Sequence, residues 1–235
     1  MIVLVVTFLA PVVLEPVFNR FAPLRDEALA NELRTLADRA AVPVRDVLVA
    51  DASRRTRKHN AYVSGLAKTR RVVVWDTLLE RGDPRGLRLI VAHELGHRRF
   101  RHVAIGTAIG MLGAASFVVA LWALLHWDAL VSATGADGPG DARVIPFVLL
   151  AGTVAELAVQ PFALALSRRW ERDADRFSLE LTGDADAYER THRDLALSNL
   201  GDLVPPRAAY LFFFSHPSAP ERLEAGRRWS VARAG

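Results

Sequence analysis

The sequence predicts a mainly α-helical chain of the α+β kind, divided between bilayer and water, with a two-helix membrane hairpin inserted between two groups of metal-ligand residues. Three observations predict it. Residues 103–127 and 144–166 are apolar runs long enough to cross a bilayer. His93-Glu94-Leu95-Gly96-His97 precedes the first run, and Glu171 with Asp175 follows the second. Between residues 19 and 102, short segments rich in β-branched residues read as a small sheet containing a hairpin.

Composition agrees. Of 235 residues, 51% are hydrophobic and 24% are charged, a mixture that suits a chain partly in lipid better than a uniformly soluble one. There is no cysteine, so disulfides and thiolate ligands are excluded and a metal must be held by His and carboxylate. The net charge of +4 has no basic stripe with interleaved aromatics behind it, which argues against nucleic acid as a partner.

Taken in order, residues 1–18 read as a partial transmembrane or interfacial helix. The uninterrupted apolar part, 1–14, would span only about 21 Å, and it lacks the basic start and small-residue cleavage site of a signal peptide. Residues 19–102 form a polar portion. Leu29, Leu33 and Leu36 mark a helix over 26–41, which Pro43 ends. Strands are expected at 47–50, 60–65 and 71–75, and Asp83-Pro84 caps a helix running through His97. Residues 103–127, about 37 Å as a helix, carry no Asp, Glu, Lys or Arg, and Gly106 and Gly110 offer a small face for helix packing. Residues 128–143 form an external Gly/Pro/Asp loop. Residues 144–166, about 34 Å as a helix, hold one charge, Glu156, expected to face protein or water. Residues 167–235 return to the polar side, with a helix over about 167–181 that stops at Gly183. Arg98, Arg99 and Arg101 flank one end of the hairpin and Arg168, Arg169 and Arg172 the other, whereas the loop has only Arg143. The positive-inside rule therefore puts both ends in the cytoplasm.

On a helix, His93 and His97 lie on one face and reach a single ion, with zinc expected, one per chain. Glu94, beside the metal rather than bonded to it, is placed to move protons to and from water. Because two crossings return the chain to its starting side, Glu171 stands where a third ligand belongs. Asp175, one turn on, is suited to orient a ligand imidazole. His59, His102, His126 and His192 carry no partner pattern and are read as structural.

The residues also carry a family resemblance. Glu15-Pro16-Val17-Phe18-Asn19-Arg20-Phe21, Asn60-Ala61-Tyr62 with Gly65, RVVVWDTLLE from Arg71, HELGH, Glu171 with Ala174 and Asp175, and His216-Pro217 with Arg222 occur in one order. In these the chain resembles the catalytic half of the type I CAAX prenyl endopeptidases, integral-membrane gluzincins, and it is similar also to HtpX membrane proteases. The resemblance implies a gluzincin-like fold and a zinc metalloendopeptidase with His93, His97 and Glu171 as ligands and Glu94 as general base. It implies that His216 stabilises the oxyanion, and that Asn60, Ala61 and Arg222 meet the substrate. On the residues alone, His216 is equally a loop histidine and Arg222 equally a structural ion pair. The implied partners are the lipid bilayer and a peptide or protein substrate, lipidated and membrane-bound ones included. Family members have further N-terminal membrane helices enclosing a chamber, so the chain is expected to be a shortened form or a part. An HtpX-like quality-control protease and an inactive membrane scaffold are the alternatives. The Arg-, Ala- and Gly-rich usage points to a high-GC genome, hence to a bacterial cell membrane with the site facing the cytoplasm.

Overall fold

The computed structural model describes residues 15–65, 69–80, 83–198 and 202–234. The expected membrane segment at 1–14 lies outside them, as does part of the turn at 66–70. The architecture is mainly helical with one small mixed sheet. In order come α1 (Glu15–Phe18), β1 (Phe21–Pro23), α2 (Glu27–Arg39), β2 (Asp46–Ala50), β3 (Ala61–Ser64) and β4 (Arg71–Trp75). Then follow α3 (Asp76–Glu80), α4 (Pro84–Arg99), α5 (His102–Leu125), α6 (Asp128–Ala133), α7 (Ile145–Thr182), α8 (Ala185–Ser198), α9 (Arg207–Phe213) and α10 (Ala219–Ala234).

Two compact units emerge. One holds the described residues of 1–102, 168–206 and 216–235; the other holds 103–167 and 207–215. In the first, the strand order is β1-β2-β4-β3, with β2 and β4 parallel and the outer pairs antiparallel. The expected hairpin is β3 with β4, in the register Tyr62 opposite Val73. Asp26 caps α2 by accepting from Leu29 N at 3.0 Å. That helix turns Ala30, Leu33 and Leu36 onto the sheet, at the 3.6-residue period read in the sequence. Leu87, Val91 and Leu95 of α4 join the same core, with Val47, Val63, Val72 and Val74 from the strands. Each such side chain stabilises by about 1.5–3 kcal/mol on burial, so the sheet is the floor that fixes α4. Asp83 accepts from Arg85 N and Gly86 N, both at 3.1 Å, and Pro84 occupies the first turn. A second cluster, Leu89, Leu179, Ala187 and Tyr188 with Trp229, ties α4 and α7 to α8 and α10.

The other unit contains α5, α6, α9 and the first part of α7. Leu125, Val131, Ala136, Val144 and Val148 make its small core, and Gln160 Nε2 donates to Phe212 O at 2.7 Å. Among the described residues, two helices are long and apolar enough to cross a membrane: His102–Leu125 and the one starting at Ala142 that includes α7. Apolar side chains stand exposed along both, Leu112 and Phe162 among them.

Several expectations change. The helix sought over 167–181 is the C-terminal part of α7 and has no break from the apolar run before it. Pro161 lies inside the helix, and no glycine or proline follows it until Gly183, at φ +69°, ends the backbone ladder. The loop at 128–143 begins with a helical turn, α6. Gly110 has open space beside it, whereas Gly152 has the Phe117 ring at ordinary contact distance. Glu156 is exposed.

Candidate metal centre

The site is built where α4 meets the polar end of α7. Gly96 makes the crossing possible: a Cβ there would lie 3.2 Å from Ala174 Cα and 3.2 Å from Phe177 Cδ1. With that contact closed, His93 and His97, one turn apart on α4, face Glu171 on α7. The three donor atoms lie within 4.8 Å of one another. His93 Nε2 is 3.1 Å from His97 Nε2, and the Glu171 carboxylate oxygens are 3.5 and 3.3 Å from the two nitrogens. Ligands bound at about 2.0–2.1 Å around a tetrahedral ion stand roughly 3.3 Å apart, so the spacing fits a three-coordinate protein site with one open position. Two imidazoles and a carboxylate are also the donor set zinc accepts. Zinc therefore fits.

The surroundings hold these groups in place. Asp175 Oδ1 lies 2.9 Å from His93 Nδ1, which turns the Nε2 lone pair inward. Arg222, on α10, donates from Nη2 to Glu171 Oε2 at 2.6 Å and has its Nε 3.2 Å from Asp175 Oδ2. It is thus engaged by both carboxylates, the ion-pair alternative read in the sequence. Burial would lower the His93 pKa, but Asp175 and Glu171 overcome that and raise it to about 10. The pocket thus has surplus negative charge that a cation would neutralise. Burial raises the Glu94 carboxyl above its ordinary value, with His93 and His97 opposing. His216 Nε2 stands 3.5 Å from Glu171 Oε1, with 61% of its side chain exposed.

Two histidines gain partners that the sequence did not reveal. His192 is buried against Asp175, its Nε2 3.7 Å from Oδ1, and burial pushes its pKa down to about 3, so it is neutral. Its Nδ1 is 3.4 Å from Arg222 Nη1. His102 places Nδ1 3.0 Å from His97 Nδ1. Neither pair shares a helix face, so no spacing signal existed to find it.

Asn60 immediately precedes β3 and Ala61 begins it, and β3 is one of the two outer strands of the sheet. Trp75 N donates to Asn60 O, so Asn60 pairs inward, and strand alternation turns the Ala61 and Val63 backbone groups to the free edge. Arg98 of α4 donates to Val63 O, at 3.1 Å from Nε. Ala61 keeps its outward amide and carbonyl in that alternation.

The peptidase family M48 model matches residues 23–230. An uncharacterized metalloprotease of Bacillus subtilis, YhfN, is 35% identical over 225 residues, covering 92% of this chain and 51% of the relative. CAAX prenyl protease 1 of Saccharomyces cerevisiae is 29% identical over 234 residues, covering 92% and 51%. The chain spans about half the length of these relatives. The crystal structure of S. mikatae Ste24p superposes with a TM-score of 0.82 at 26% identity, covering 96% of this chain and 56% of that one.

Proposed function

This chain belongs to peptidase family M48, and on that premise we propose that it is a zinc-dependent endopeptidase hydrolysing peptide bonds at the cytoplasmic face of a membrane. The convergence of the His93, His97 and Glu171 donor atoms within 4.8 Å carries this reading. When bound, zinc supplies Lewis acidity, polarising the scissile carbonyl and lowering the pKa of water towards neutrality. The remaining work falls to side chains. A Glu94 carboxylate oxygen takes a proton from the attacking water and returns one to the departing amine nitrogen. A pKa raised by burial suits both transfers. His216, exposed at the mouth of the site, donates to the carbonyl oxygen as negative charge develops there. Asp175 and Arg222 are positioning residues: one orients His93, and the other holds Glu171 and Asp175 in register. This reading moves Arg222 from substrate contact to support.

The substrate lies as an added strand along the edge at Ala61, so its backbone is read more than its side chains, with Asn60 holding the edge to the sheet. Relatives named CAAX prenyl protease make prenylated C-terminal peptides the first class to test, and the resemblance to HtpX proteases makes unfolded membrane proteins the second. The two apolar helices support residence in a bilayer.

The deciding experiment combines zinc quantification with cleavage of prenylated and unprenylated peptides, for the wild type and Glu94→Gln. One zinc per chain in both and cleavage by the wild type alone is the expected result. Undiminished cleavage by the variant, or by the wild type in chelator, would overturn the mechanism.

A further inference from the structure

We infer that His102 is the positioning residue for His97, accepting the proton that His97 carries on Nδ1 and so fixing the tautomer and angle in which Nε2 meets the metal. The inference rests on the metal-centre reading above. A ligating imidazole needs a partner on its other nitrogen. His93 has Asp175; for His97 the structure offers a second imidazole, Nδ1 to Nδ1 at 3.0 Å. The ring centroids stand 5.1 Å apart with the planes at 74°, an arrangement compatible with an in-line bond between the two ring nitrogens. With the His97 proton on Nδ1, His102 must present a lone pair there and carry its own proton on Nε2.

The chain is shaped for this contact. Residues five apart do not share a helix face, yet Arg101 takes a left-handed conformation, φ +58°, between α4 and α5, and the turn brings His102 back beside His97. His102 is 5% exposed. Its ring stacks on Trp170 at 5.1 Å and 11°, and Trp170 immediately precedes Glu171. One tryptophan therefore couples the acceptor of the second ligand to the helix that carries the third.

Two substitutions separate acceptor from packing. His102→Phe keeps a ring to stack on Trp170 but removes the acceptor. His102→Asn restores an oxygen near the Nδ1 position but gives up the stack. Zinc affinity, read by competition with a chromophoric chelator, should fall about 10–100-fold in the Phe variant and largely recover in Asn. The cobalt-substituted protein should show a displaced d–d band in Phe alone. Wild-type affinity in Phe with loss in Asn would make His102 a packing group and overturn the inference. If Phe fails to fold, nitrogen-15 imidazole spectra of the zinc-loaded wild type decide: His102 protonated on Nε2 supports the role, and on Nδ1 refutes it. A wild type that takes up no metal sinks the metal-centre reading itself, a distinguishable outcome.

Discussion

At the scale of the residue, the site is a charge arrangement. Two carboxylates, Glu171 and Asp175, are drawn into a mostly buried pocket and balanced by Arg222, leaving charge for an ion. Glu171→Ala should therefore reduce zinc stoichiometry well below one per chain, measured on protein dialysed against buffered metal; retention of wild-type affinity would exclude it as a ligand. Glu94→Gln removes the proton carrier without removing a ligand, so kcat/KM should drop by about 10²–10⁴-fold with zinc content unchanged. Arg222→Leu leaves both carboxylates without their cation. Breaking a buried pair costs about 3 kcal/mol, to be read as loss of unfolding free energy in metal-free protein. If Arg222 instead served only the substrate, stability would hold and KM alone would rise.

At the scale of the element, what matters is how closely α4 and α7 approach. The two helices share both cores: Leu87, Val91 and Leu95 of α4 meet Leu181 of α7 in the sheet core, and Leu89 of α4 meets Leu179 of α7 beside Tyr188. They touch where Gly96 has no side chain, against Ala174 and Phe177. Gly96→Val should destabilise the metal-free protein by about 1–3 kcal/mol and weaken zinc binding by separating His97 from Glu171. Chelator competition and denaturant unfolding measure the two effects. The helical pattern Leu29, Leu33, Leu36, the Asp83-Pro84 cap and the β-branched run before Trp75 were all legible, because each depends on local periodicity or a local hydrogen bond. The uninterrupted α7 was not: a change from apolar to charged composition at residue 167 resembles a boundary, but the backbone ladder is indifferent to it.

At the scale of the molecule, two apolar helices are separated by a short polar connection, and the proposed topology puts that connection outside the cell. The absence of cysteine allows a direct test. A membrane-impermeant maleimide should label Gly140→Cys in intact cells and Arg169→Cys only after permeabilisation. Labelling of both from one side would refute a two-crossing hairpin with a cytoplasmic site.

The sequence by itself determined the helical class, the small sheet and the HELGH pair, because the period of a helix and the valence of a metal ion are both written in local spacing. The long-range family motifs then put Glu171 and Asp175 beside that pair. Only the tertiary structure decided what stands behind the ligands. His102 reaches His97 through a left-handed turn at Arg101, Arg222 and His192 reach Asp175 from separate helices, and Arg98 takes the Val63 carbonyl on the sheet edge. Such contacts depend on helix crossings and backbone turns, which side-chain spacing along a chain does not encode.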